Sequence, residues 1–364
     1  MRSRASGRLD LLGGVADYSG ALVLQVATRQ GIEVQVEPED ALVVGPLTMK
    51  PAEIEQLAEL SYAEIRRVLQ DMPRWTHYPL GVALVLVRAH KIDPPTGRLT
   101  ISSNLPQSMG VASSAALEVA TARALGAQSD GLELAKLCQE AENHVVGAPC
   151  GVMDQVSVTL GRPDCVLPIL CRPASVQPSV RLGGIEVLGW PTHVAHDVSG
   201  APYARARAAS FMGKRIVEVS TGHSWKWVSQ LPFSEVSQLP ELIDGAAYLD
   251  RWSGVDDEVT TVDPGETYRV RAATTFGVME HGRAKAALAC LRRHRHEALG
   301  PLMEASDRAY REMGLGHPAA VAIVEEALAR PGVLGARLSG GGCGGTVVVA
   351  CRPGALDDIG DVIR

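Results

Sequence analysis

Leu105-Pro106-Gln107-Ser108-Met109-Gly110-Val111-Ala112-Ser113-Ser114-Ala115-Ala116 is the stretch from which the rest of the chain can be read. It follows Leu99–Ser102, an apolar run of strand length, and opens Ser113–Leu125, which is rich in Ala and helical in pattern. Small residues let a backbone curl tightly around an anion, and a helix N-terminus offers unpaired N–H groups and a partial positive charge. Ser113 and Ser114 sit where a hydroxyl can cap the helix or reach a phosphate or Mg²⁺. On these residues alone a plain Ser N-cap reads as well as an anion site. The stretch is neither G-x-x-x-x-G-K-[ST] nor G-x-G-x-x-G, so it lends no support to a P-loop NTPase or a dinucleotide fold.

Strand-like and helix-like stretches alternate outward from it. Ala21–Ala27 and Ile32–Val36 read as strands with a Gly between them, and Ala52–Leu69 reads as a helix. Val82–Val87 is a second apolar run of strand length. Leu132–Val145 puts Leu134, Leu137, Cys138, Ala141 and Val145 on one helical face. A Pro-rich stretch from Pro163 to Pro191 precedes a new pattern, with helices over Ala204–Val219, Arg283–Arg293 and Pro318–Arg330. Val333–Cys351 reads strand, glycine loop, strand, while Gly222–Gly265 shows no pattern. The expectation is an α+β protein of two domains, 1–190 and 191–364, as a chain of 364 residues suggests.

Hydrophobic residues make up 46 % and charged residues 21 %, enough for a sizeable core without staples. That excludes a disordered chain, a collagen-like repeat and a disulfide miniprotein. Lys+Arg 35 against Asp+Glu 41 leaves no basic field for nucleic acid or an anionic membrane. The seven Cys are odd in number and form no C-x-x-C pair, which reads as free thiols in a reducing compartment. No apolar run approaches the roughly 18 residues of a bilayer span, and no signal-peptide core follows the N-terminus. A cytoplasmic protein is expected, a monomer or weak homodimer.

Further constellations could carry chemistry. In Glu142-Asn143-His144-Val145-Val146-Gly147-Ala148-Pro149-Cys150-Gly151-Val152-Met153-Asp154-Gln155 a helix ends in one acid and a Gly/Pro turn leads to another. Two carboxylates can divide a phosphoryl transfer, one holding Mg²⁺ and the other meeting the attacking hydroxyl. Each alone is as readily a solvated helix-end or turn residue, and His144 reads as structural. Gly7-Arg8-Leu9-Asp10-Leu11-Leu12-Gly13-Gly14-Val15-Ala16-Asp17-Tyr18-Ser19-Gly20 flanks a glycine pair with Arg8 and Asp17. An Arg supplies fixed positive charge, and Asp17 could accept from vicinal sugar hydroxyls. A strand and a turn is the simpler reading. In Leu338-Ser339-Gly340-Gly341-Gly342-Cys343-Gly344-Gly345-Thr346 five glycines permit positive φ and close approach of a ligand, or form a flexible hairpin loop. Cys343 has no His, Asp or Asn partner arguable from sequence and reads as a small loop residue.

Taken in order, these segments resemble the GHMP kinases, the small-molecule kinases that include galactokinase and mevalonate kinase. GRLDLLGGVADYSG is similar to the galactokinase signature, the P-x-x-x-G-x-x-S-S-A-A loop to the phosphate-binding motif, and LSGGGCGGTVVV to the C-terminal glycine motif. GGVADYSGALVLQ, ENHVVGAPCGVMDQ, PYARARAASFMGKR and MGLGHP resemble the plant-type L-arabinokinases more than galactokinase proper. The resemblance implies a ribosomal-S5-like N-terminal domain with a left-handed βαβ unit, a C-terminal α/β sandwich, and ATP and sugar meeting in the cleft between. It implies Asp154 as the catalytic Asp with Arg8 beside it, and Ser114 and Glu142 as the Mg²⁺-associated pair. Ser108, Gly110, Val111, Ala112, Ser113, Ser114 and Ala115 would bind the nucleotide. Gly14, Val15, Asp17, Gly151, Tyr203 and Gly341 would contact the sugar. The implied reaction moves the ATP γ-phosphoryl group to an anomeric hydroxyl.

There are departures from the family pattern. Galactokinases carry Glu-His where this chain has Gly14-Val15, in the family a contact to the C6 hydroxymethyl. L-Arabinopyranose has galactose's ring hydroxyl arrangement without C6, so L-arabinose is the expected substrate. Galactose, a uronic acid or a specialised-metabolite sugar is the alternative, and a non-catalytic sugar sensor a further one. Ala195-His196-Asp197 stands where the family has Arg-His-Ser.

Overall fold

The two strand-like runs around Gly31 form one continuous strand, Leu22–Glu37. Gly31 does not break it. A Cβ there would lie 2.3 Å from the Ala5 carbonyl oxygen, so glycine is what lets the neighbouring strand Arg2–Leu12 approach. The structure is a computed structural model describing residues 1–129, 131–194 and 201–364. The departure at Ala195-His196-Asp197 lies outside the described residues. The chain forms two compact units. One comprises Met1–Arg8, Ala27–Gln107 and Ala112–Gly161, the other Leu9–Val26, Ser108–Val111 and Arg162–Arg364.

In the first unit Ile32 to Glu37 pairs antiparallel with Gly97–Ser103. That strand pairs in parallel with Leu42–Val44, which pairs antiparallel with Leu47–Met49. The helical pattern over Ala52–Leu69 is two helices, Pro51–Glu59 and Tyr62–Leu69. Ser61 and Glu64 form a capping box that restarts the chain at the break. Val82–Val87, of strand length, lies instead in the helix His77–Arg88. Every residue from Pro79 to Val87 is buried, and this helix packs on Pro51–Glu59 and Ser113–Ala124. A helix covered all round has no amphipathic period to betray it. The Leu132–Val145 pattern is a helix, Gly131–Glu140, that widens into a π-turn over Ala141–Val146 and stops at Gly147 with φ 75°. Such a turn frequently accompanies a functional site.

In the second unit Leu22 to Val26 pairs with Cys165–Leu170. A further sheet sets Thr346–Cys351 between Val333–Leu338 and Glu186–Pro191. Helices Leu299–Glu312 and Pro318–Leu328 cover Val333–Leu338, and Ala201–Thr221 packs on Val270–Arg292. The unassigned region contains short elements, among them Phe233–Val236 and Gly245–Trp252. It is pinned by Val228, Leu231, Val236, Leu239 and Tyr248 in the apolar core. Anchors so irregularly spaced give no period to read.

An ion pair lies at the bottom of this unit. Asp10 and Arg337 are both fully buried, with Nη1 of Arg337 2.9 Å from Oδ2 of Asp10. Gln25 donates to Oδ1 of Asp10 at 2.6 Å. Removing one partner strands the other charge in low dielectric. Asp10→Asn is therefore expected to cost about 3–5 kcal/mol in urea unfolding. A loss under about 1 kcal/mol would show that the core does not depend on the pair.

Candidate active site

Arg8, at the inner end of its unit's part of the strand Arg2–Leu12, is 3 % exposed. It grips both oxygens of Asp154, Nε to Oδ1 at 2.8 Å and Nη2 to Oδ2 at 3.0 Å. A forked pair of this kind fixes the plane of the carboxylate as well as its place. Asp154 lies in the first turn of the helix Met153–Leu160, where the backbone dipole also favours negative charge. Its side chain keeps 23 % exposure, so the oriented carboxylate remains reachable by a hydroxyl.

Glu142 projects from the π-turn and is 3 % exposed. The Ser114 hydroxyl hydrogen-bonds to it, Gln155 Nε2 donates to its Oε2 at 2.5 Å, and the Cys150 thiol lies 3.5 Å from the same oxygen. Burial, and then the charge of Asp154, push the Glu142 carboxyl up to about 7 against these hydrogen bonds. Gln155 Nε2 also donates to Glu118 Oε2 at 3.1 Å, and Glu118 is pushed well above the usual range by burial and by Glu142. Sequence reasoning missed Glu118 and Gln155. The available signal was spacing, because Glu118 lies one turn beyond Ser114 on the same helix face. His144 stacks on Tyr62, ring centroids 5.0 Å apart, a packing role.

The donors suit a hard divalent cation. Magnesium takes one or two protein oxygens and completes its octahedron with water and phosphate. Ser114 and Glu142 offer a hydroxyl and a carboxylate, and the raised proton affinity of Glu142 marks a buried carboxylate short of a counter-charge. Among the described residues no larger His, Cys, Asp and Glu cluster could hold a metal unaided.

The loop before the helix has positive φ at Ser108 (55°), Gly110 (66°) and Ala112 (60°). Left-handed backbone at Ser and Ala costs on the order of 1–3 kcal/mol each and is retained where the backbone N–H groups must be aimed. The simple Ser N-cap is not what forms. The helix Ser113–Ala124 has Ala112 at its N-cap with no side-chain hydrogen bond, and the Ser114 hydroxyl goes to Glu142. Val111 and Ala115 are buried, and Ser113 is half-buried.

The expected sugar contacts divide between the units. Gly151, buried just before the Asp154 helix, belongs to the first, and Gly14, Val15, Asp17, Tyr203 and Gly341 to the second. Asp17 is buried, and its Oδ1 accepts from Tyr18 N at 2.6 Å. Tyr18 packs edge-on against Tyr203 at 6.1 Å, beneath the Arg207 guanidinium at 5.3 Å. Arg207 is tied to Asp257 at 2.8 Å, a pair that sequence reasoning missed because Asp257 lies in the region without a pattern. Val15 is buried in the apolar core, and Gly341 is buried within the glycine loop. Cys343 has φ 59°, donates its N–H to Leu315 O at 2.7 Å, and has its thiol pushed up by burial, away from a thiolate nucleophile.

Glu142 makes stability depend on pH with an unusual sign. Its folded carboxyl holds a proton up to about 7, whereas its ordinary value is 4.5. Between these values the folded state binds more protons, so the contribution is complete below the ordinary value and is lost as pH rises through about 7. In metal-free buffer the urea midpoint should fall from about pH 5 to about pH 8 more steeply in the wild type than in Glu142→Gln. Equal slopes would contradict the assignment.

Comparison with known proteins follows the same division of the chain. Residues 77–162 match the GHMP kinases N terminal domain, and residues 287–364 match the GHMP kinases C terminal domain. An L-arabinokinase of Arabidopsis thaliana is 29 % identical over 440 residues, covering 96 % of this chain and 42 % of that protein. The chain thus spans less than half the length of that relative. A galactokinase of Thermotoga neapolitana is 28 % identical, covering 100 % of this chain and 93 % of that protein. The fold matches that of Lactococcus lactis galactokinase complexed with galactose, with TM-score 0.75, 19 % identity, 96 % of this chain and 86 % of that chain. It also matches Methanococcus jannaschii mevalonate kinase, with TM-score 0.62, 17 % identity, 98 % of this chain and 92 % of that chain. Both GHMP kinase domain models thus match this chain in order, and its fold is the one that galactokinase and mevalonate kinase share.

Proposed function

We propose that the protein is an ATP- and Mg²⁺-dependent sugar 1-kinase whose preferred acceptor is L-arabinose. The observation that carries this reading is the Arg8–Asp154 fork, with the Ser114–Glu142 pair in the same unit. In the reaction the bond from the γ-phosphorus to the bridging oxygen breaks, a bond to the anomeric oxygen forms, and ADP leaves. Asp154 receives the hydrogen bond, and finally the proton, of that hydroxyl. An anomeric hydroxyl is acidic for an alcohol, so the demand on the carboxylate is modest. Arg8 holds Asp154 so that one geometry is presented, since positioning and charge placement carry most of a phosphoryl-transfer barrier. The strained loop from Ser108 to Ala115 presents backbone N–H groups to the phosphates. Ser114 and Glu142 would hold Mg²⁺, which when bound neutralises charge on the transferring phosphates. Asp17 would accept from vicinal ring hydroxyls, and Tyr203 would pack beside them.

L-Arabinose is favoured by the apolar Gly14-Val15 pair and by the plant L-arabinokinase relative. Galactose is the second reading, favoured by galactokinases of similar identity that match over nearly their full length. A sugar panel read by ADP release separates them. L-Arabinose should exceed galactose in kcat/KM by roughly tenfold, the scale available to one missing group in an apolar pocket. Faster use of galactose would overturn the substrate and leave the kinase. Asp154→Ala should lower kcat by about 10²–10⁴-fold with ATP binding retained. Near-normal turnover would overturn the role given to Asp154.

A further inference from the structure

Gly14 has no side chain, and the space that one would fill is already taken. A Cβ built on Gly14 would lie 1.7 Å from Tyr310 Oη and 2.7 Å from Tyr310 Cζ. That phenol is not a yielding end. Tyr310 is fully buried in the helix Leu299–Glu312. Its hydroxyl accepts from Val15 N at 2.9 Å and donates to Gly340 O at 2.6 Å. The ring meets Phe276 edge-on at 5.1 Å, and Arg337 lies 4.8 Å over its centroid, held in turn by Asp10. One hydroxyl therefore ties the turn that precedes Asp17 to the glycine loop, and its donor is used in doing so.

We infer that Tyr310 sets acceptor specificity as a positioning residue: by filling the place of a side chain at residue 14 and engaging the Val15 N–H, it leaves the Gly14-Val15 face without a polar group for an exocyclic hydroxymethyl, and so restricts the acceptor to pentopyranoses. The inference rests on the sugar-kinase reading above. The physics is that of an unpaired polar group. A hydroxymethyl brought against glycine and valine gives up its water and gains no partner, whereas a ring that ends in CH₂ gives up nothing there. Changing residue 14 alone cannot reverse the preference, because the new side chain and Tyr310 compete for one volume.

The test is a cycle of Gly14→Asn, Tyr310→Leu and the two combined. Asn is chosen because Gly14 has φ 51°, a conformation that Asn tolerates better than most residues. Gly14→Asn alone should lower the melting temperature and leave the sugar preference unchanged. Adding Tyr310→Leu should recover part of that melting temperature and raise the galactose-to-arabinose ratio of kcat/KM roughly tenfold, mainly through KM for galactose. Tyr310→Phe keeps the ring and frees the Val15 N–H, so it should move the ratio in the same direction should the double variant not fold. An unchanged ratio in an active double variant, or in active Tyr310→Phe, overturns the role of Tyr310 while the kinase stands. A wild-type protein that phosphorylates no monosaccharide overturns both.

Discussion

The Arg8 guanidinium on Asp154 is the interaction around which the first unit's chemistry is arranged. The charge of Asp154 raises the proton affinity of Glu142 and Glu118, and Arg8 pairs with Asp154. Asp154 is thus oriented by two hydrogen bonds from one guanidinium. Glu142 is stabilised only by hydrogen bonds and holds its proton up to about 7. Glu118 is also pushed well above the usual carboxylate range, by burial first and then by the charge of Glu142. An arrangement short of positive charge suits a reaction whose donor arrives with a cation on its phosphates.

The second unit supplies rigidity of a different kind. Asp10 holds Arg337, Arg337 lies over Tyr310, and Tyr310 joins Val15 to Gly340. Glu280 adds a link by accepting from Gly13 N at 3.0 Å and from Ser306 Oγ at 2.7 Å. A turn fixed at so many points presents one face. A face that cannot adapt suits the sugar discrimination proposed above, because reorganisation cannot compensate for a poor fit.

Much of this was legible in the sequence where turn chemistry is local. The small residues before Ser113, the Gly147 stop and the glycine run around Cys343 marked their loops, whereas the roles expected of Arg8, Asp154, Ser114 and Glu142 came from the resemblance to the GHMP kinases, each stretch alone reading more simply as structural. Elements whose signal is erased by burial were not legible. His77–Arg88 is covered on every side and so resembled a strand, and Asp257 lies in a segment pinned by irregularly spaced anchors. Gln155 and Glu118 matter through hydrogen bonds that only folding creates. Tyr310 was hidden most completely, since what announced it was an absent side chain at Gly14, nearly three hundred residues away along the chain.

The claim that everything here depends on is transfer of phosphate to the anomeric oxygen. Phosphorus NMR of a reaction containing ATP, Mg²⁺ and L-arabinose labelled with ¹³C at C1 tests it at the bond formed. A new phosphate ester signal split by the labelled carbon is expected, growing as ADP grows. An ester signal without that splitting, or ATP consumed to give only inorganic phosphate, would contradict it.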